Sequence, residues 1–191
     1  MKTRFFTGRG DKGQSAFGNK RIAKDDALFE LLGNLDELNS WLGLCTVEAK
    51  RTLSKKKAGG LVIESLADLQ EDLFIAQAEV ASIGFSYSIK KIPRITETKT
   101  ARLEHILQKI DALLPTLRNF VLPGGSELSA ELDIARSIAR RAERSAITFG
   151  KRAAFSKEFL QFMNRLSSAL FALARYANYV LRVKEKNPKY K

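Results

Sequence analysis

A row of charged side chains follows one face of a predicted helix beyond the middle of the chain. Asp133, Arg136, Arg140 and Glu143 stand three, four and three residues apart. Residues at these intervals lie one above the next on an α-helix. Two arginines one turn apart suit a polyphosphate, because guanidinium groups bind phosphate oxygens as two-pronged forks. The same row also fits an ordinary solvated face with weak ion pairs.

The helix that carries this row is predicted to begin after a turn. Pro123, Gly124 and Gly125 break any preceding helix. Ser126 is placed to cap a helix that runs to Phe149. The apolar stripe of this helix is rich in alanine, which allows close packing: Leu128, Leu132, Ala135, Ala139 and Ala142.

A second candidate element is a glycine-dense, basic loop near the N-terminus. It covers residues 7–13 and is followed by the run Gly18-Asn19-Lys20-Arg21. Successive N–H groups of such a loop can form a cradle for an anion. The pattern matches neither the P-loop nor the dinucleotide fingerprint, and a flexible basic arm is the alternative interpretation.

Apolar residues at helical spacing predict four further helices, with approximate ranges 26–57, 61–83, 96–114 and 156–185. No convincing strand appears, and the first 25 residues read as irregular. Five helices with short connections predict an all-α, antiparallel five-helix bundle of the ferritin-like up-down type.

Two of these helices carry polar faces besides their apolar stripes. Asp36, Asn39 and Gly43 share a face of the first helix. A second face of the last helix is formed by Asn164, Ser167, Phe171 and Arg175. The face of the first helix is either surface decoration or the partner of an arginine on a neighbouring helix or subunit.

The chain of 191 residues has a formal net charge of +12, which favours anionic partners. Aromatic residues are not interleaved with its basic runs and no nucleic-acid-binding motif occurs, so a nucleic-acid partner is not expected. No apolar stretch reaches the length of a membrane span, and no signal segment is recognisable. We therefore expect a soluble, cytoplasmic protein without a membrane partner.

Cys45 and His105 are the only residues of their types. A lone cysteine forms neither a disulfide within the chain nor a cysteine-based zinc site. We expect Cys45 to be a small buried hydrophobic group and His105 to be an ordinary helix residue.

Eight stretches occur together in one order and spacing, over roughly residues 4 to 181. Together they resemble the PduO-type ATP:cob(I)alamin adenosyltransferases. Single stretches are weak signals, whereas the ordered set is specific. The matching stretches are 7–13, 18–21, 24–26, 35–40, 93–96, 120–126, 135–144 and 164–175.

The resemblance implies that the bundle assembles as a homotrimer with active sites between subunits. It implies transfer of the 5′-deoxyadenosyl group of ATP to cob(I)alamin, which yields adenosylcobalamin and inorganic triphosphate. Mg²⁺ would assist, and a cob(II)alamin reductase and a cobalamin-dependent acceptor enzyme would be partners. Residues 1–25 would form an ATP-binding arm, 26–185 the bundle and 186–191 a basic tail of one domain. The alternative is a catalytically silent carrier or regulator that binds ATP or a corrinoid.

The resemblance also implies roles for single residues. Arg140 would hold the triphosphate, and Phe120 would pack against the lower corrin face. Arg136 would pair with Asp36 of the adjacent subunit, fixing both the interface and the corrin pocket. Both residues of this pair would bind cobalamin and, together with Arg140, serve catalysis. Glu143 would also contact Mg²⁺, directly or through water. The other ATP contacts would come from the glycine loop, Lys20 and two polar residues further along the chain: Thr7, Gly8, Arg9, Gly10, Asp11, Gly13, Lys20, Glu143 and Asn164.

Overall fold

The computed structural model describes residues 5–18, 20–83 and 92–190. Its regular elements are β1 Gln14–Phe17, β2 Lys20–Ala23, α1 Ala27–Leu53, α2 Gly60–Ser82, α3 Glu97–Asp111, α4 Glu127–Phe149 and α5 Lys157–Leu181. The predicted five helices are confirmed in this part of the chain. None of the helices described is long and apolar enough to cross a membrane.

The helices share one hydrophobic core. α1 packs between α2 and α4, and α5 packs against α4 and α3. The alanine-rich stripe predicted for α4 is fully buried, so α4 approaches its neighbours closely. Leucines of α1 and α2 and two phenylalanines of α5 fill the space around it, among them Leu35, Leu38, Leu69, Phe159 and Phe162.

Residues 14–23 form a β-hairpin, so the prediction of an irregular, strand-free N-terminal arm is wrong for this segment. β1 and β2 pair antiparallel, with Phe17 opposite Lys20. A two-residue Gly-Asn connection between two short runs is a hairpin signal that helical periodicity cannot detect. Asn19 itself lies outside the described residues. The ring of Phe17 packs edge-on against Phe29, with 6.1 Å between centroids, and this contact anchors the hairpin to α1.

Three helices end three or four residues earlier than predicted. α1 ends at Leu53, and a short 3-10 helix at Lys57–Gly59 leads into α2. A Cβ on Gly59 would lie 2.3 Å from the carbonyl oxygen of Leu53, so this sharp connection requires glycine. α5 ends at Leu181 because Arg182 adopts a left-handed conformation with φ of 59°.

The end of α3 at Asp111, before the predicted Leu114, has a different cause. Pro115 follows, and a proline disfavours helical backbone in the residue before it. The beginning of α4 agrees with the prediction, since the Ser126 side chain accepts a hydrogen bond from the Ser129 N–H. Most of the predicted loop between the second and third helices, residues 84–91, lies outside the described residues.

A buried carboxylate joins α2 to α3. Asp72 is fully buried, and its Oδ1 lies 2.6 Å from Lys99 Nζ. Its Oδ2 accepts a hydrogen bond from Arg102. Arg102 also pairs with Asp68, which is half-exposed. Two cations thus compensate a carboxylate that has lost its hydration.

Asp72→Ala leaves Lys99 and Arg102 beside an apolar interior without their shared partner. We expect the free energy of unfolding, measured by urea denaturation, to fall by about 3 kcal/mol. Asp68→Ala is the matched control, because it removes an exposed partner of the same arginine and we expect a loss of about 0.5 kcal/mol. Equal losses in the two variants would contradict the role of the buried pair.

Candidate functional site

A cavity of about 1040 Å³ opens between α3, α4, α5 and the loop that precedes α4. Its volume is that of a site for a large ligand. The wall combines apolar and cationic groups, including Leu107, Leu114, Phe120, Arg136, Arg140 and Phe171. Such a wall suits a bulky, partly apolar ligand that carries or adjoins negative charge.

The charged row on α4 supplies the cations of this cavity. Arg136 and Arg140 both lie in its wall. Arg136 Nε donates to Asp133 Oδ1 at 3.2 Å, and its guanidinium carbon lies 5.9 Å from the centroid of the Phe171 ring. The ring contact is a cation–π interaction. Arg140 is exposed at the cavity wall.

The second polar face predicted for the last helix meets α4 across this site. Ser167, Phe171 and Arg175 lie in the cavity wall. Asn164 lies outside it and instead contacts Glu143 of α4. The sequence pattern thus identified the cavity-lining side of α5, although it did not predict the cavity itself.

Glu143 and Asn164 form one end of a hydrogen-bonded chain. Asn164 Nδ2 donates to Glu143 Oε1 at 3.0 Å. Arg165 Nη1 donates to Asn164 Oδ1 at 3.2 Å, and its Nε donates to Glu104 Oε1 at 3.1 Å. Arg165 therefore fixes which edge of the Asn164 amide faces Glu143. Arg165 was missed by the sequence reasoning, although it lies beside Asn164 in a matching stretch.

Phe120 stands on the loop before α4, and its side chain lines the cavity while 79% of the residue surface remains exposed. A large ring held in this way offers an apolar surface to a ligand. The segment that follows α5 holds the loop in place. Leu122 N donates to the Lys186 carbonyl at 2.8 Å, and Asn187 Nδ2 donates to the Phe120 carbonyl at 2.7 Å.

An ion pair anchors the same C-terminal segment to α5. Arg175 Nε lies 3.1 Å from Glu185 Oε1, and both side chains are largely buried. Arg175 also donates to the Pro115 carbonyl at 3.2 Å, and Tyr190 reaches the cavity wall. No local signal predicted these contacts, since their partners lie far apart in the sequence.

The glycine loop has a defined internal structure. Gly8 and Gly13 have φ of 67° and 74°, values that favour glycine. Arg21 closes the loop by donating to the carbonyls of Arg9 and Gln14. Lys20 is exposed at the start of β2.

Three groups of predicted site residues do not line the cavity. They are the glycine loop with Lys20, Asp36, which is exposed on α1, and the hydrogen-bonded pair Glu143 and Asn164. Within one chain the structure therefore brings together Arg136, Arg140 and Phe120, with Glu143 and Asn164 hydrogen-bonded to each other between α4 and α5.

The residues of the site fit a metal ion only if a ligand shares its coordination. Among the residues that the structure describes, no three His, Cys, Asp or Glu side chains cluster as a metal site. Mg²⁺ bound with substrate phosphates needs only one or two protein carboxylates. Glu143 offers one such carboxylate beside Asn164.

Cys45 takes no part in the site. It is buried in the core, as predicted. Burial, and to a smaller extent the negative charge of Glu131, raises the pKa of its thiol to about 12. The thiol is therefore protonated and unreactive at neutral pH.

The fold and cavity define a helical-bundle protein with an arginine-lined site for a large ligand. The chain belongs to the cobalamin adenosyltransferase family, whose model matches residues 5–177. It is 36% identical to a corrinoid adenosyltransferase of Citrobacter freundii, covering 90% of this chain and 93% of that protein. It is 37% identical to a corrinoid adenosyltransferase of Mycobacterium leprae, covering 92% of each.

Solved structures show the same fold. A variant of the PduO-type ATP:corrinoid adenosyltransferase from Lactobacillus reuteri, complexed with cobalamin and ATP, matches with a TM-score of 0.85 and 30% identity. The match covers 97% of this chain and 99% of that one. A second variant of that protein, complexed with ATP, matches with the same TM-score and identity.

Deleting residues 184–191 removes the acceptor of the Leu122 N–H and the donor to the Phe120 carbonyl. We expect the Leu122 amide to exchange with deuterated solvent about tenfold faster, since an anchoring hydrogen bond is lost. Hydrogen exchange followed by NMR measures this rate, and the Ala139 amide inside α4 is the control that should not change. Unchanged exchange at Leu122 would show that the C-terminal segment does not hold the loop.

Proposed function

We propose that this protein is a corrinoid adenosyltransferase that transfers the 5′-deoxyadenosyl group of ATP to cob(I)alamin. The observation that carries the proposal is the coincidence of family membership with one cavity that contains Arg136, Arg140 and Phe120. A cavity of this size accommodates a corrin ring, and its arginines suit the phosphates of ATP.

The chemistry requires little of the protein beyond placement and charge. The cobalt of cob(I)alamin supplies an electron pair to the 5′-carbon of ATP, and the bond from this carbon to the phosphate oxygen breaks. Triphosphate leaves with the electrons of the broken bond. A cation near the departing oxygens stabilises the charge that develops there, and Arg140 is suited to this role. The cobalt is itself the nucleophile, so no activated serine or cysteine is needed.

On the corrin side, Phe120 packs against the lower face of the ring. An apolar group there excludes water and an axial base, which makes reduction of the cobalt easier. Arg136 pairs with Asp36 of the adjacent subunit and closes the corrin pocket. The exposure of Phe120 at the cavity and the placement of Arg136 in its wall support these roles.

On the nucleotide side, the glycine loop and Lys20 wrap the phosphates. The loop residues are Thr7, Gly8, Arg9, Gly10, Asp11 and Gly13. Glu143 and Asn164 contact ATP, and Glu143 would hold Mg²⁺ directly or through water. The magnesium ion would neutralise part of the triphosphate charge. Support comes from the positive-φ glycines and from the hydrogen bond between Glu143 and Asn164.

The proposal includes a homotrimer whose active sites lie between subunits. Two observations support it. The glycine loop and Asp36 do not line the cavity that contains Arg140 of the same chain. Large apolar side chains are also exposed on the outer faces of α1, α2 and α4, namely Leu44, Val47, Phe74 and Ile134. A cob(II)alamin reductase and a cobalamin-dependent acceptor enzyme complete the proposed partners, and a cytoplasmic location stays a prediction.

Arg140→Ala removes the cation proposed to hold the triphosphate. We expect kcat for adenosylcobalamin formation to fall about 10²–10³-fold, the usual consequence of removing one donor from a developing negative charge. Arg140→Lys keeps the charge but loses the fork, so its activity should be intermediate. The assay combines protein, ATP, Mg²⁺ and chemically reduced cobalamin, and follows the adenosylcobalamin spectrum and released triphosphate.

Arg144→Ala is the matched control, since Arg144 is exposed one turn further along α4 and does not line the cavity. The control should retain wild-type turnover. A catalytically silent carrier would bind ATP or cobalamin without releasing triphosphate, and Arg140→Ala would leave its function intact. Absence of turnover in the wild-type protein under strict anaerobic reduction would overturn the proposed function.

The homotrimer predicts a solution mass three times the chain mass of 21.4 kDa. Light scattering after size exclusion measures this mass with and without ATP. Val47→Glu places a charge on the exposed apolar face of α1 and should shift the mass towards the monomer. A wild-type mass equal to that of one chain would contradict the proposed assembly.

A further inference from the structure

We propose that Asp133 is a positioning residue that sets both the Arg136 guanidinium and the turn that follows Phe120. This inference rests on the proposed function, because it concerns the corrin side of the same site. Asp133 lies on the charged face of α4, and nothing about its spacing distinguishes it from an ordinary partner in an exposed ion pair. Its burial and its second hydrogen bond, from the Gly124 N–H, distinguish it from such a partner.

The two carboxylate oxygens of Asp133 hold Arg136, which lies in the cavity wall, and the turn that follows Phe120. Oδ1 accepts from Arg136 Nε at 3.2 Å. Oδ2 accepts from the backbone N–H of Gly124 at 3.1 Å. The carboxylate is largely buried, so both hydrogen bonds are shielded from water. One side chain thus joins a cationic helix face to the loop before that helix.

The turn that Asp133 holds cannot easily take another form. Gly124 and Gly125 have φ of 105° and 109°, a region that favours glycine. Asn178 of α5 donates to the Gly124 carbonyl at 2.8 Å and accepts from the Ser126 N–H at 2.9 Å. The turn is therefore fixed to α5 on one side and to α4, through Asp133, on the other.

This arrangement determines what Arg136 can still contact. Its Nε is engaged by Asp133, and its guanidinium lies over the Phe171 ring. Within the part of the chain that the structure describes, the terminal nitrogens of Arg136 have no hydrogen-bond partner, so they can contact a ligand in the cavity and Asp36 of a neighbouring subunit. Arg136 would therefore lie between two carboxylates, one that positions it within the chain and one across the interface.

The chemistry of the two contacts requires a carboxylate at this position. Both partners of Asp133 are N–H donors, and an ionised carboxylate has two acceptor oxygens. An asparagine has only one acceptor oxygen, and its NH₂ group would face a second donor. Asp133→Asn is therefore a nearly isosteric change that breaks one of the two contacts.

The test compares Asp133→Asn with wild-type protein in steady-state kinetics for each substrate. We expect KM for reduced cobalamin to rise about tenfold, because one hydrogen bond of a charged group is lost. KM for ATP should stay within about twofold. The visible spectrum of bound cob(II)alamin in the presence of ATP gives a second readout, and the fraction of cobalt without an axial ligand should fall.

Glu48→Gln is the matched control, since Glu48 and Arg51 form an i,i+3 pair on α1 with Arg51 Nε 2.6 Å from a carboxylate oxygen. It should leave both KM values and the spectrum unchanged. The inference would be overturned if Asp133→Asn showed the wild-type KM for cobalamin and the wild-type spectrum. It would also be overturned if KM for cobalamin and KM for ATP rose equally while Tm fell, since that result indicates a general loss of structure. If the wild-type protein shows no turnover, the proposed function fails, and titration of the two proteins with cob(II)alamin still decides the role of Asp133.

Discussion

The rest of the structure depends on the close packing of α4 against its neighbours. Ala135, Ala139 and Ala142 are fully buried on the core side of this helix. Side chains this small let the helix axis approach α1 and α5, which a stripe of leucines would prevent. The opposite face then presents Arg136 and Arg140 to the cavity at fixed heights, one turn apart. A cationic row on a loosely packed helix could not be positioned in this way.

Polar contacts fix the cavity-lining residues of α4 relative to α5 and to the neighbouring loop. The hydrogen bond from Asn164 to Glu143 joins α4 to α5, and the bond from the Gly124 N–H to Asp133 joins α4 to the loop before it. Within α4, Asp133 also accepts from Arg136. The C-terminal segment holds the Phe120 loop from the other side. The cavity is thus bounded by parts that are far apart in the sequence and fixed by groups whose donors and acceptors match.

Periodicity and capping signals predicted much of this arrangement. The alanine stripe and the shared face of the α4 charges follow from a helical period of 3.6 residues. The Ser126 cap follows from a serine placed directly after the Pro-Gly-Gly turn. The hairpin was missed because its strands are only 4 residues long and carry no clear alternation. The contact of Asn187 with Phe120 joins residues 67 positions apart, and no local pattern encodes such a pairing. The ordered family stretches, rather than periodicity, pointed to the residue roles.

The central claim is that a glycine loop from one chain meets Arg140 of another to form each site. Co-expression of a Lys20→Ala chain with an Arg140→Ala chain tests it most directly, with each variant strongly impaired on its own. If equal amounts of the two chains assemble at random into trimers, about a quarter of all sites would combine an intact loop with an intact arginine. We expect the co-expressed population to recover about a quarter of wild-type adenosylcobalamin formation. No recovery in assemblies verified to contain both chains would contradict it.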